Sequence, residues 1–288
     1  MAGIPEVRGL YHQPTSTFSY VAWDPVSREA AIIDPVLDYD SASGHTGTAS
    51  AAALLAVVER EDLRTAWILE THAHADHLSA AGYLHERTGA PIGIGAGIAA
   101  VQSTFSEIYN LGPDFPVDGR QFDRLFSDGE RFALGDIEVE VIATPGHTND
   151  SVSYRIGDAA FIGDTLFAPD YGTARCDFPG GDEATLFRSV QRLYRLPDQT
   201  RLFLCHDYPP ENREPRCEWS VREQREGNVH VNAGTREEDF VAMRSARDAG
   251  LSMPALIIPS IQVNIRAGRL PEPDDNGTRY LRVPLNKL

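Results

Sequence analysis

The sequence predicts a compact α/β domain with a C-terminal extension. Short apolar runs of strand length alternate with amphipathic runs of helix length between residues 18 and 109. A β-rich stretch with tight Gly-Asp turns follows between residues 124 and 162. Neither a flexible linker nor an internal repeat divides the chain. We therefore expect a main domain over residues 1–210 and a helical and irregular extension, residues 211–288, packed on it.

The elements of the first half each have a local signal. An alternating run at 18–23 and an apolar run at 30–33 flank the turn signal D-P-V-S-R, which indicates two strands. Residues 37–48 are rich in Asp, Ser and Gly and are predicted to form a surface loop. The other predicted elements are a helix at 49–60, a strand at 65–69, a helix at 77–87 that ends before Gly89, a strand at 91–94 and a helix at 98–109.

The second half is predicted from the same two periodicities. Strands are expected at 124–126, 131–134, 137–143, 151–156, 159–162 and 200–204, and an amphipathic helix at 182–196. Residues 211–226 are densely charged and expected to be helical in part. A helix at 235–249 should turn Phe240, Met243 and Ala246 inward. From residue 254 the tail is rich in proline and shows little periodicity.

The composition excludes several classes of function. Hydrophobic residues make up 42% of the 288 residues and charged residues 24%, as in ordinary globular proteins. A net charge of −16 argues against nucleic acid as a partner, although a small anionic substrate needs only local cations. We find no apolar run long enough to span a membrane and no signal peptide. Three cysteines without a C-x-x-C pair fit a reducing cytoplasm.

The motif T-H-A-H-A-D-H, residues 71–77, carries the strongest chemical signal. His72, His74, Asp76 and His77 lie within six positions of one another. The alternating spacing lets the first three point the same way from an extended segment. Imidazole and carboxylate together suit zinc or iron, so the motif predicts a metal site.

Three further candidates follow predicted strands in the second half. His147 lies in T-P-G-H-T after the strand that ends at residue 143, Asp164 in G-D-T after residue 162, and His206 in C-H-D-Y after residue 204. Loops at one edge of a sheet bring together residues that are far apart in sequence. The sequence therefore predicts seven candidate ligands at one site.

The order of these motifs resembles the metallo-β-lactamase superfamily, over about residues 10 to 210. The resemblance implies a four-layer αββα sandwich in which the metal lies at the shared edge of two mixed sheets. It also implies that Asp34, in I-I-D-P, supports the metal loops from behind rather than binding metal.

The segment after Asp164 narrows the resemblance. Arg175 stands two residues before Asp177-Phe178, and Gly180-Gly181 follows. This pattern resembles the persulfide dioxygenases, the family of the ethylmalonic encephalopathy protein, and more closely a bacterial group of that family. The resemblance implies a homodimer that oxidises glutathione persulfide, or a similar persulfide, with O₂ to sulfite and thiol in sulfide detoxification.

The same resemblance implies one Fe(II) per chain. The iron would be held by His72, His147 and Asp164, a two-histidine, one-carboxylate triad that leaves coordination positions open. His74, Asp76, His77 and His206 would then surround the metal and serve in hydrogen bonding or proton transfer.

A binuclear zinc hydrolase, either a glyoxalase II-like thioesterase or a lactonase, is the alternative. In it all seven residues hold two zinc ions that bridge a hydroxide. The residue set does not separate the two hypotheses, since both branches of the superfamily keep it. A third possibility is a sensing protein without catalysis, which the complete ligand set disfavours.

Four residues are candidates for substrate binding. Arg175 could grip a substrate carboxylate with two hydrogen bonds, and Arg225 matches a basic position of the family. Asp177 could bind the substrate's amino group or instead hold Arg175. Tyr208 is expected to line the pocket. Cys176 and Cys205 lie near the candidate site in sequence, and their redox role stays open.

Overall fold

A computed structural model describes residues 3–287, which form fifteen strands and seven α-helices. The strands are β1 (Glu6–His12), β2 (Thr17–Trp23), β3 (Glu29–Ile33), β4 (Val36–Asp40), β5 (His45–Gly47), β6 (Arg64–Leu69), β7 (Leu78–Ser79), β8 (Ile92–Gly95), β9 (Arg124–Phe126), β10 (Arg131–Leu134), β11 (Ile137–Ala143), β12 (Val152–Ile156), β13 (Ala159–Phe161), β14 (Arg201–Phe203) and β15 (Glu218–Ser220). The helices are α1 (Ala49–Arg60), α2 (Ala81–Thr88), α3 (Ile98–Ile108), α4 (Glu183–Leu193), α5 (Val221–Gly227), α6 (Glu237–Asp248) and α7 (Ile257–Asn264).

Two mixed six-stranded sheets form the centre of the fold. The strand order is β1-β2-β3-β6-β8-β9 in the first sheet and β10-β11-β12-β13-β14-β15 in the second. A small three-stranded sheet, β5-β4-β7, lies beside them. Strands β3, β6, β8 and β9 pair in parallel, as do β13 and β14, and the remaining pairs in the large sheets are antiparallel.

Three apolar clusters define four layers. The inner cluster joins the facing sides of the two sheets, with Tyr20 and Phe126 from the first sheet against Tyr154 and Phe161 from the second. A second cluster packs α1, α2, α3 and α7 on the outer face of the first sheet. A third packs α4, α5 and α6 on the outer face of the second. The result is the predicted αββα sandwich, in which both sheets are covered by helices.

The residues after 210 are built into the sandwich. Strand β15 pairs with β14 and so completes the second sheet. Helix α6 packs on α4, and α7 contacts β7 beside the first sheet. The chain after residue 210 therefore contributes a strand to the second sheet and helices to both outer layers.

Several element predictions were wrong in detail. Residues 37–48, predicted as a loop, contain β4 and β5, which pair as a hairpin. The helix predicted from residue 77 begins only at Ala81, because Leu78 and Ser79 pair with β4. Strand β1 and helix α7 were not predicted; α7 lies in the proline-rich tail, where its short apolar run gave no clear period. No helix within residues 3–287 is long and apolar enough to cross a membrane.

Candidate metal centre

The metal loop, residues 71–77, connects β6 of the first sheet to β7. It has no regular secondary structure, so its side chains are aimed by individual contacts. His72, His74 and His77 are buried, with at most 1% of each exposed. The Asp76 side chain is 26% exposed, so the loop presents one carboxylate towards solvent and three imidazoles inward.

The second sheet supplies the other three candidates from one edge. Strands β11 and β13 run in the same direction because β12 is antiparallel to both, and β14 is parallel to β13. His147, Asp164 and His206 follow the carboxyl ends of these strands. Asp164 lies between the histidines: its Oδ2 is 3.6 Å from His147 Nε2 and 3.9 Å from His72 Nε2, and its Oδ1 is 3.4 Å from His206 Nε2.

The seven side chains form two groups of donor atoms. In one group, His72, His147 and Asp164 offer ligand atoms that all lie within 4.8 Å of one another. The other group meets the same criterion and consists of His74, Asp76, His77 and His206. The structure thus brings all seven predicted ligands together, with Asp164 close to both groups.

The centre fits a metal because its buried donor atoms have no other partner. Among the residues described, five of them make no hydrogen bond: His72 Nε2, His74 Nδ1, His77 Nε2, Asp164 Oδ1 and His206 Nε2. Buried polar atoms in proteins are nearly always paired. Five such atoms within these two adjoining groups therefore indicate a cation-binding site.

The electrostatics of the protein favour the ligand forms of three of these groups. They oppose that of His206, because the effect of burial on its pKa is outweighed by Asp164 and Asp76, which raise it. Burial, reinforced by His74, lowers the pKa of His72 well below its ordinary value, and burial with His77 does the same for His74. Burial opposes ionisation of Asp76, but His206 and His77 outweigh it and hold the pKa of Asp76 well below its ordinary value. Neutral imidazoles and an ionised carboxylate are the states that bind metal.

Two carboxylates hold the loop from behind. Asp34 accepts hydrogen bonds from the Thr71 backbone N–H at 2.7 Å and from the Thr71 hydroxyl at 3.0 Å, and it lies 3.1 Å from His74 Nε2. Burial raises the pKa of Asp34 to about 6. Asp150 accepts from the Ala73 N–H at 2.7 Å. Asp34 thus contacts the metal loop through Thr71 and His74, and its bond to Nε2 leaves Nδ1 of His74 without a hydrogen bond.

A cavity of about 300 Å³ opens onto the metal centre. Four of the seven donors line it: Asp76, His147, Asp164 and His206. Much of its remaining wall is aromatic: Phe167, Tyr171, Phe178 and Tyr208. A cavity of this size with a polar end and apolar sides is suited to a small organic substrate.

Arg175 and Asp177 form part of the cavity wall as a locked pair. The guanidinium of Arg175 donates from Nε and Nη2 to the two oxygens of Asp177, both at 2.6 Å, and from Nη1 to the Ser252 carbonyl at 2.7 Å. These bonds also lower the pKa of Asp177. The Arg175 carbonyl lies 2.7 Å from His147 Nδ1 and fixes that ring. Of the two predicted roles for Asp177, holding Arg175 is the one that the geometry supports.

The other two substrate-binding candidates are placed differently. Tyr208 lines the cavity, and its ring lies parallel to His206 within 14°, with centroids 5.8 Å apart. Arg225 lies on α5 and donates to Asp198 at 2.7 Å. It is absent from the cavity lining within the described chain, so the structure does not bring it to the site.

Sequence reasoning missed the contribution of α6. Arg244 and Arg247 line the cavity. Arg244 is buried and donates to Asp248, whereas Ala246, predicted to face inward, is exposed. The spacing of Phe240, Arg244 and Asp248 at i, i+4 and i+8 was the available signal, because such residues share one helix face. Phe240 and Met243 do face the third apolar cluster, as predicted, and Arg244 was missed because charged residues are rarely assigned to a buried face.

His230 is a further cavity residue that the sequence did not indicate, and it gives a pH prediction. Its Nδ1 accepts from the Thr173 backbone N–H at 3.0 Å. Burial and the guanidinium groups of Arg244 and Arg247 lower its pKa to about 4. Between this value and the ordinary 6.5 the unfolded chain binds more protons, so the stability that His230 confers falls as the pH falls through that window.

We expect the His230 ring protons of the metal-free protein to titrate near pH 4 in an NMR experiment. The Arg247→Ala variant should titrate at a higher pH, since it removes one nearby positive charge. A midpoint near the ordinary histidine value in the unmodified protein would contradict this description of the wall.

The two cysteines that lie near the site in sequence have thiols that their buried surroundings make unreactive. Cys176 and Cys205 are both buried and free. Burial raises the pKa of each thiol well above its ordinary value, so both stay protonated at neutral pH.

The fold and the donor set together define a family. Residues 12–206 match the model of the metallo-beta-lactamase superfamily, and the chain belongs to that superfamily. With its buried His and Asp clusters, it is a metal-binding protein of that fold.

Its relatives carry different functional names. The chain is 51% identical to a probable metallo-hydrolase of Burkholderia pseudomallei, over 98% of this chain and 99% of the relative. It is 48% identical to glyoxylase B2 of Dictyostelium discoideum, over 95% and 94%. It is also 52% identical to a beta-lactamase hydrolase-like protein of Xylella fastidiosa, of whose length it spans 65%.

A second set of relatives bears the name ETHE1. The chain is 29% identical to the mitochondrial persulfide dioxygenase ETHE1 of Homo sapiens, over 91% of this chain and 88% of the relative. The crystal structure of ETHE1 from Myxococcus xanthus superposes with a TM-score of 0.73 at 30% identity, over 92% of this chain and all of that one.

Proposed function

We propose that the chain is a persulfide dioxygenase that uses one iron ion held by His72, His147 and Asp164. The observation that carries the proposal is the compact donor group of these three residues, two of which line the cavity. Two histidines and one carboxylate leave open positions for O₂ and for a substrate sulfur. The likeness to the two proteins named ETHE1 also supports it.

The reaction balances as RSSH + O₂ + H₂O → RSH + SO₃²⁻ + 2H⁺. When bound, the iron would let O₂ react with the terminal sulfur, which itself supplies the electrons that reduce O₂. The protein's own groups have separate tasks. The aromatic wall excludes water from the persulfide, and the pair Arg175–Asp177 keeps the wall and the His147 ring in place. Asp76 and His206 lie 3.3 Å apart at the cavity, and the partly exposed Asp76 side chain gives this pair a route by which released protons can pass to solvent.

A binuclear zinc hydrolase is the second candidate, and specific observations favour it. The group of His74, Asp76, His77 and His206 is as compact as the first, and Asp164 lies close to both. The names of two relatives that are about half identical, a probable metallo-hydrolase and a beta-lactamase hydrolase-like protein, also point to hydrolysis. In that case two zinc ions would polarise a water for attack on a thioester or lactone.

One experiment separates the candidates. The protein is purified without oxygen, its metals are counted, and oxygen uptake is followed with glutathione persulfide. One iron per chain and one sulfite formed per O₂ consumed would support the dioxygenase. Two zinc ions per chain, no oxygen uptake and rapid hydrolysis of a glutathione thioester would refute it in favour of the hydrolase.

Arg247 is the cation best placed to bind a substrate carboxylate. It lines the cavity, and its guanidinium makes neither a hydrogen bond nor an ion pair with any group in residues 3–287. Arg175 and Arg244, by contrast, are occupied by Asp177 and Asp248. The planar guanidinium matches a carboxylate with two hydrogen bonds.

We therefore expect Arg247→Ala to raise the KM for glutathione persulfide about tenfold, since a hydrogen bond to a charged group contributes roughly 1.5–3 kcal/mol. The control is Arg236→Ala, which removes the same charge at the start of α6 but away from this cavity. An unchanged KM in the Arg247 variant, or an equal rise in both, would show that Arg247 does not bind substrate.

A further inference from the structure

Asn264, the last residue of α7, is buried against the metal loop. Its Nδ2 donates to the His74 carbonyl at 2.7 Å and to the His77 carbonyl at 2.8 Å. Its Oδ1 accepts from the Ser79 backbone N–H at 2.8 Å. Two carbonyls on one side and an N–H on the other define the orientation of the amide, and all three bonds have good length.

These bonds act where the loop lacks regular structure. Asp34 and Asp150 hold the backbone at Thr71 and Ala73, which is the start of the loop. Asn264 holds its second half. Every one of these three side chains is buried, so each replaces a backbone partner that a strand or helix would have supplied.

The position of Asn264 determines which metal-ligand side chains it orients. The two carbonyls that it holds, at positions 74 and 77, bracket Asp76 and adjoin His77. Fixing these peptide groups fixes the directions in which the Asp76 and His77 side chains leave the backbone. Both belong to the donor group that also contains His74 and His206.

The helix that carries Asn264 is firmly held. Ile257, Ile261 and Val263 are part of the apolar cluster on the first sheet. Gln102 donates to the Ile265 carbonyl at 2.9 Å, just beyond the helix. Asn264 is therefore presented to the loop by a packed element, which is what a positioning residue requires.

We propose that Asn264 is a positioning residue for the metal centre, supplied by the chain beyond the part that matches the superfamily model. It sets the geometry of the donor group that contains Asp76 and His77. This role is independent of the reaction, because the same residues either bind a second metal or exchange protons beside a single one. Through Asn264, the C-terminal extension would therefore contribute to the geometry of the metal centre.

The test compares two variants of the same helix. Asn264→Ala removes three hydrogen bonds, two to the metal loop and one to Ser79 of β7. Gln262→Ala also removes three. Gln262 donates two, to the Ile258 and Arg282 carbonyls, and accepts one from the Arg282 N–H, and none involves the loop. Zn²⁺ affinity of the full-length protein is measured by competition with a chromophoric chelator, and unfolding by denaturant is measured on the metal-free protein.

We expect Asn264→Ala to weaken the most weakly held Zn²⁺ by about 10- to 100-fold, the usual effect of losing a group that orients ligands. Gln262→Ala should leave Zn²⁺ affinity within about twofold of the unmodified protein while lowering stability similarly. Hydrogen exchange at the Ser79 amide should speed up only in the Asn264 variant.

An Asn264→Ala variant with unchanged Zn²⁺ affinity would overturn the proposal, as would an equal loss of affinity in both variants. If Asn264→Ala does not fold, Asn264→Asp replaces it. This variant keeps the acceptor for Ser79 and has the same size, but its ionised form has no N–H for the two carbonyls. Weakened Zn²⁺ binding in that variant supports the proposal, and unchanged binding refutes it.

Discussion

Asp164→Ala is expected to lose the bound metal and to lower turnover more than about 100-fold, beyond the usual effect of losing a residue that only orients ligands. Asp164 supplies the carboxylate of the group that also contains His72 and His147. Its Oδ1 lies 3.4 Å from His206 Nε2, in the other donor group. Its removal leaves two histidines to hold the ion and removes the negative charge that offsets the metal. Metal content after gel filtration and the rate of oxygen uptake are the measurements.

The matched variant is Asp76→Ala. Asp76 belongs only to the other donor group, 3.3 Å from His206 Nε2. If one iron is held by His72, His147 and Asp164, the Asp76 variant should keep part of its metal. An equal loss of metal in both variants would contradict the single-iron proposal and favour a two-metal centre.

The sequence was most informative about the metal ligands, and the reason is physical. His72, His147, Asp164 and His206 each follow the carboxyl end of a strand, so the sheets bring them to the same region of the molecule. Strands have a period of two that is visible in the sequence. The αββα order was implied by the resemblance of these motifs to the metallo-β-lactamase superfamily.

The sequence was least informative where long-range packing decides. The hydrogen bonds between Asn264 and the metal loop join residues that are 187 and 190 positions apart, and no local sequence pattern predicts them. Arg244 reaches the cavity wall from a buried face because Asp248 neutralises it there. The distance of Arg225 from the cavity depends on how α5 packs, which its charge pattern does not reveal.

Gly146→Ala is expected to disrupt the turn that delivers His147. Gly146 has φ +133°, a conformation that L-residues rarely adopt, and an added Cβ would lie 2.3 Å from the Leu186 backbone nitrogen and 2.4 Å from its Cα. The atoms in the way are backbone of α4, whose first turn is tied to this site by the bond from the Asp182 N–H to the Gly146 carbonyl at 2.8 Å. Either α4 or the turn must therefore move.

We expect Gly146→Ala to lower the free energy of unfolding by roughly 3 kcal/mol or more, combining backbone strain of about 1–3 kcal/mol with an overpacking cost of similar size. Gly129→Ala separates the two costs. Gly129 also has a positive φ, +75°, but nothing lies within 4 Å of its added Cβ. That control should lose only about 1–2 kcal/mol and keep its metal, since it carries the conformational cost alone. If the two variants unfold at the same denaturant concentration and bind metal equally, the close approach of the turn to α4 does not constrain His147.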